Sequence, residues 1–232
     1  MVGHICIGLG YGVTGYYSEA IKSLEQGAAL AADPFYKQWA KLFLASNYLS
    51  NNQITEAEST LKEVRAYSNE FGCELFGLLT TAFLGIISVI HGSLSKGINM
   101  FEETKRSGYD DGRAGWHAFL EHMLANVYLQ IARGGEKPDF SFLVKNIGFL
   151  VKNAPKADQK AQTHFNLAIE HAKKVGDRRT LGHSYLDLGI LHRAKKRFDQ
   201  AEACFSKAIE VFEETEAEGF LKQAENAMES IK

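Results

Sequence analysis

Residues 185–212 read YLDLGILHRAKKRFDQAEACFSKAIEVF. The apolar spacing predicts two amphipathic helices joined by a tight basic turn. Leu188, Gly189 and His192 share one face of the first, and Ala201, Phe205 and Ala208 share one face of the second. The small residue at 189 is followed twelve positions later by another, and seven positions on by a third. Two antiparallel helices approach closely only where small side chains let the backbones meet and large ones fill the flanking gaps. The stretch therefore predicts a close-packed helical hairpin.

The same spacing recurs along the chain. Its template is a small residue, an aromatic three later, a small residue twelve later, a large one four further and a small one three further. Gly8, Tyr11, Ala20, Leu24 and Gly27 match it; Ala45, Tyr48, Ala57 and Leu61 match again, with Val64 in the last place. Gly85, Gly97 and Phe101 match with weaker Ser88 and Thr104, and Ala125 with Tyr128 supplies half of a fourth unit. RGGEKPD then forces a loop through Gly134, Gly135 and Pro138. A doubled heptad follows, FLVKNIG at 142–148 and FLVKNAP at 149–155, stacking Phe142 over Phe149 on one helix face. The fourth hairpin resumes at Ala161, Phe165 and Ala168.

Hairpins of this spacing are similar to the tetratricopeptide repeat (TPR) family. The expectation is an all-α, right-handed TPR-like solenoid, one domain over residues 1–232. Its hairpins fall at about 1–32, 35–70, 73–107, 113–175 and 179–214, with an inserted helix at 140–153 and a capping helix at 217–231. Met1 lies inside the first helix with no capping residue before it. We therefore expect a piece of a longer multidomain protein, or a cover over that end.

Composition narrows the function. The chain is 45% hydrophobic and 23% charged, with net charge −2. No basic excess draws nucleic acid. Cys6, Cys73 and Cys204 are far apart and form no CxxC pair, as expected of free thiols in a reducing compartment. No basic region precedes an apolar run at the start, so no secretory signal is read. Residues 75–90 are apolar but shorter than the roughly 18–20 residues of a membrane span, and predict a fully buried helix.

Motifs for chemistry are weak. GYGVTG at 10–15 fits GxGxxG, but helix-periodic sequence follows where a βαβ unit would be needed. Gly8 and Tyr11 are assigned to packing and Gly15 to a turn. His117 with Glu121 and His122 reads HxxxEH, unlike zinc-protease spacings, and His164 with His171 has no third ligand in view. No metal, cofactor or catalytic residue is expected. The basic residues Lys173, Lys174, Arg178, Arg179, Arg193, Lys195, Lys196 and Arg197 are read as solvated hairpin turns.

The expected binding surface is the groove lined by first helices. Relative to each small packing residue, it takes Trp39, Phe43, Phe83, Ile86, Phe119, His122, Met123 and Asn126, and in the last hairpin His183, Leu186, Asp187 and Ile190. A carboxylate clamp would set Lys, Arg and Asn there, and only Asn126 fits. The groove reads as apolar and aromatic, and a patch of that kind needs a cover. Phe142, Leu143, Ile147 and Phe149 of the inserted helix are one candidate; a partner segment is the other.

Residues 160–232 resemble the C-terminal helical-repeat region of large bacterial adenylate/guanylate cyclase–ATPase or kinase–ATPase signalling proteins. AQTHFNLAIEHAKKVGDRR, LGHSYLDLGILHRAKKRFDQAEACFSKAIEVFEE and AEGFLKQAENAM carry the likeness, and the insertion at 131–157 is similar too. The resemblance implies a cytoplasmic regulatory module whose catalytic motifs lie outside this chain. The expectation is a non-catalytic interaction module for a protein, peptide or neighbouring domain, not for nucleic acid or membrane. A peptide or small-molecule sensor and a homodimerisation module are the alternatives. The latter predicts a dimer that charge at Ile5 or Leu9 disrupts.

Overall fold

The computed structural model describes residues 1–107, 114–134 and 140–231. Among them run twelve α-helices and one short 3-10 turn, with no strand. Contacts gather the chain into two compact units, residues 1–87 and 88–232.

The first unit holds α1 (Val2–Thr14), α2 (Tyr17–Ala29), α3 (Pro34–Ser50), α4 (Ile54–Phe71) and most of α5 (Glu74–Ile90). Asp33 starts α3: its carboxylate accepts the Phe35 N–H at 2.8 Å, and Pro34 takes the first turn, where a missing N–H costs nothing. α1 and α4 stop at Gly15 and Gly72, both left-handed. GYGVTG is thus the end of a helix and its turn, not a phosphate loop. At Gly8 a Cβ would sit 2.6 Å from Leu24 Cγ, so glycine sets the distance between α1 and α2. Gly12 does the same toward α3, where a Cβ would lie 2.6 Å from Asn47 Oδ1. The Tyr48 hydroxyl donates to Glu25 Oε1 at 2.7 Å, tying α3 to α2. Burial, then that bond, pushes the phenol pKa up. On α5 the Thr80 and Thr81 hydroxyls donate to the Phe76 and Gly77 carbonyls, which satisfies them inside an apolar helix. No helix among the described residues is long and apolar enough to cross a membrane.

The second unit continues with α6 (Leu94–Arg106), α7 (Ala114–Arg133), α8 (Phe140–Asn153), α9 (Ala157–Val175), α10 (Arg178–Ala194), α11 (Phe198–Glu214) and α12 (Glu218–Glu229). α7 packs on α9, skipping α8; α10 packs on α9 and α11; α12 packs on α11. The loop expected from Gly134, Gly135 and Pro138 is described only at Gly134, which is left-handed. Residues 135–139 lie outside the described residues, as does Arg113, the expected start of the fourth hairpin. A 3-10 turn, Ala154–Lys156, carries Pro155 between α8 and α9. Asp177 caps α10 by accepting the Thr180 N–H at 3.0 Å. A Cβ at Gly189 would lie 2.5 Å from the Phe205 ring, and one at Gly182, outside the spacing template, 2.6 Å from Phe212. α12 buries Phe220, Ala224 and Ala227 and exposes Lys222, Gln223, Glu225 and Asn226.

Ala20, Ala45, Ala57, Ala125, Ala161, Ala168, Ala201 and Ala208 have no exposed surface. Gly85 and Gly97 are buried as well.

Candidate functional site

In the first unit two of the expected groove residues, Trp39 and Phe43, pack on one another. Trp39 stacks on Phe43, ring centroids 5.6 Å apart, because residues four apart on a helix lie one above the other. Phe76, fully buried, takes Phe35, Trp39 and Tyr67 around it at 5.2–6.0 Å. Phe83 keeps only 5% of its surface exposed and Ile86 is half-buried. These aromatics form a cluster, and Phe83 is core rather than an open contact.

In the second unit α7 and α10 lie side by side and share a polar face. His122, Asn126, His183 and Asp187 meet there. His122 Nδ1 lies 3.1 Å from Ser184 Oγ, and His122 Nε2 lies 3.0 Å from Asn126 Nδ2. Asn126 Nδ2 donates across to Asp187 Oδ2 at 3.1 Å, and Asp187 Oδ2 is 3.5 Å from His122 Nε2. A neutral imidazole with the proton on Nδ1 satisfies this chain: it donates to Ser184 and accepts from Asn126. Burial first, then the neighbouring His183 and Arg179, lowers the His122 pKa to about 3. Burial and Arg179 lower that of His183 to about 4. Burial lifts Asp187 to about 6, against the lowering effects of the Asn126 bond and Arg133. Phe119 and Met123 are half-buried on the same side of α7, and Ile190 on α10. The reading of the groove as apolar and aromatic is corrected here. In the second unit it is a hydrogen-bonded polar face with apolar flanks, because the pattern weighed each helix alone and missed Asp187 and Ser184 as partners of α7.

The inserted helix carries a second correction. Phe142 and Phe149 turn inward, with Asn146 and Asn153 buried between and beyond them. Phe142 lies against Gly92, and Asn146 holds the same turn: its Oδ1 accepts the Leu94 N–H at 3.1 Å and its Nδ2 donates to the Gly92 carbonyl at 2.7 Å. Phe149 stacks on Tyr128 at 6.5 Å. Leu143 and Ile147, expected to cover a groove, are 39% and 63% exposed. Asparagine on the repeated face, bonding to backbone at 92–94, seats α8 on a hairpin turn and leaves those two outside.

A second polar node lies behind the shared face. Glu121 is 3% exposed and accepts from Lys105 Nζ and His164 Nδ1, each at 2.6 Å. Burial pushes its pKa up, but the bonds from His164 and Lys105 outweigh that and hold the carboxyl below the usual range. His164 stacks flat on Tyr128, and Lys160 Nζ caps that ring at 4.9 Å. The HxxxEH stretch is thus divided: Glu121 serves this node, His122 serves the α10 side, and His117 touches the ring of His171. No group of three or more metal-ligating side chains forms among the described residues.

The basic turns are mostly occupied. Arg178 pairs with Glu214, Arg193 donates to Ser230, and Lys195 donates to the Ala132 carbonyl. Arg197 bonds Asp158 and Gln162. Lys173 lies over the Tyr185 ring. A cleft of about 680 Å³ at the α10–α11 turn is lined by Gln162 and residues 196–200. Its Arg197 is already engaged by Asp158 and Gln162.

Residues 157–214 match the tetratricopeptide repeat family model. That span is α9, α10 and α11, where Gly182, Gly189 and the buried alanines set the packing. The fold is all-α and TPR-like. No curated protein matches the chain. Solved structures that match include a variant of the nearly identical TPR-like repeats of a putative kinesin light chain from Podospora anserina. It shows 16% identity over 92% of this chain and 95% of that one, with a TM-score of 0.47. The TPR2AB domain of yeast Sti1, in complex with pHSP90, shows 14% identity over 99% and 97%, with a TM-score of 0.39.

Proposed function

We propose that this chain is a non-catalytic protein-interaction module whose second unit takes a partner segment on the face shared by α7 and α10. The Ser184–His122–Asn126–Asp187 chain of hydrogen bonds carries the reading. It fixes two neighbouring helices in register and presents polar groups beside the half-buried Phe119, Met123 and Ile190. A preorganised polar row with apolar flanks suits an extended or helical peptide. The likeness of residues 160–232 to the repeat regions of bacterial cyclase–ATPase and kinase–ATPase proteins supports a cytoplasmic regulatory role, in which occupancy of this face changes the activity of linked domains. Selection of displayed random peptides against the whole chain tests the reading. Binders are expected to lose at least tenfold in affinity to Met123→Glu and to be unaffected by Gln200→Glu, an exposed change on α11. Equal binding to both variants sinks it.

Self-association is the second reading, favoured by α1. Val2, Ile7, Tyr11 and Val13 are 40–60% exposed there, and the helix carries no charge in its first or last turn. The residue to change is Ile7, since Ile5 packs toward Gly27 and Leu9 is half-buried. Light scattering is expected to show a dimer that Ile7→Lys splits; a monomeric parent chain ends this reading.

A further inference from the structure

Resting on the proposed role of the α7–α10 face, we infer that Asn126 and Asp187 form a niche for a cationic side chain, the ammonium of a lysine or the guanidinium of an arginine in the partner segment. The bond from Asn126 Nδ2 to Asp187 Oδ2 uses the donor of one side chain and one acceptor of the other. The remaining oxygens, Asn126 Oδ1 and Asp187 Oδ1, receive no donor among the described residues. The pair therefore offers acceptors only, and acceptors on two bonded side chains match the N–H groups of an ammonium or guanidinium.

Charge argues the same way. The Asp187 side chain is 23% exposed, reachable from solvent but stripped of much of its hydration. No lysine or arginine pairs with it among the described residues. A carboxylate so placed is costly until a cation joins it. Its neighbours do not supply one. His122 and His183 are held neutral at ordinary pH. Arg133, exposed in the last turn of α7, acts on Asp187 through space only, and Arg179 acts on the two histidines. Met123 and Ile190 flank the pair on their helices at half-buried positions, which suits the methylene stem of lysine or arginine. Asp187, His122 and His183 do not form a group of three converging metal ligands among the described residues.

The test uses the whole chain and two probes, N-acetyl-L-arginine amide and its uncharged isostere N-acetyl-L-citrulline amide. Ring C–H signals of His122 and His183 are followed by ¹H–¹³C NMR. The arginine probe is expected to shift them saturably, and the citrulline probe to bind at least tenfold more weakly. Asp187→Asn, which keeps the shape and is checked for folding by circular dichroism, is expected to abolish the arginine response. Equal affinity for both probes, a response retained in Asp187→Asn, or no response to either overturns the inference. The peptide selection separates the two levels. Binders that need Met123 but carry no lysine or arginine end the niche and leave the face standing, whereas binders insensitive to Met123 end the face itself.

Discussion

Alanine at Gly189 would force a Cβ to 2.5 Å from two carbons of the Phe205 ring, which is itself fully buried and has nowhere to go. Gly189→Ala is expected to destabilise the chain by about 2–3 kcal/mol in urea denaturation. At Gly148, on α8, nothing lies within 4 Å of the added atom. There the same swap restricts the unfolded chain without strain and is expected to stabilise by about 0.5–1 kcal/mol. Similar losses at both sites would mean that close approach is not what fixes Gly189. The titrating groups of the shared face pull in opposite directions. Asp187, raised to about 6, stabilises the fold below its unfolded value near 4, and that contribution is lost as pH rises through 6. His122, lowered to about 3, contributes above pH 6.5 and loses it as pH falls toward 3. Asp187→Asn should therefore gain about 1–2 kcal/mol at pH 7, fading by pH 4, after discounting for its partial exposure. His122→Gln should flatten the acid-side fall, which amounts to about 1 kcal/mol per pH unit below 6.5. Thermal melts across pH 4–8 check both. Asn126 was legible as the one amide of the groove pattern. Its bond to Asp187 was not, because that partner lies 61 residues away and spacing rules speak only within a helix.

For single elements, α8 shows what a heptad does and does not say. Repetition at seven puts Phe142 and Phe149 on one face, and both do turn inward. It is silent on what that face meets. The answer lies in Asn146, whose two bonds to the turn at residues 92–94 are set by backbone groups that no apolar pattern can reveal. Asn146→Ala is expected to cost about 1–3 kcal/mol, by leaving the Leu94 N–H unmet, and to speed amide exchange within α8. Ile147→Asp, on the solvent side, is expected to leave the melting temperature within about 1 °C. A large loss from Ile147→Asp would show that this face is covered after all.

For the molecule as a whole, the hairpin architecture was legible because its determinants are local. A small residue and its partner twelve positions on belong to adjacent helices, so the pattern records the contact directly, as at Gly8, where an added Cβ would lie 3.1 Å from the Ala20 carbonyl. The division into units at residues 87 and 88 was not legible, since it falls within α5, where no proline, glycine pair or charge run marks a break. The two units should also differ in strength. α1 buries only Gly8 and Gly12, whereas α10 buries ten residues.

The placement of the tryptophans makes that difference measurable. The chain has two, Trp39 in the first unit and Trp116 in the second. Each sits half-buried against a phenylalanine, Phe43 and Phe119 respectively. Each unit therefore carries its own fluorophore, and Trp39→Phe or Trp116→Phe leaves the emission of one unit alone. The signal from Trp39 is expected to change at lower urea than that from Trp116; superimposable curves would make the chain one cooperative block. The protein comes with a built-in pair of optical reporters, needing no label to show in what order its halves come apart.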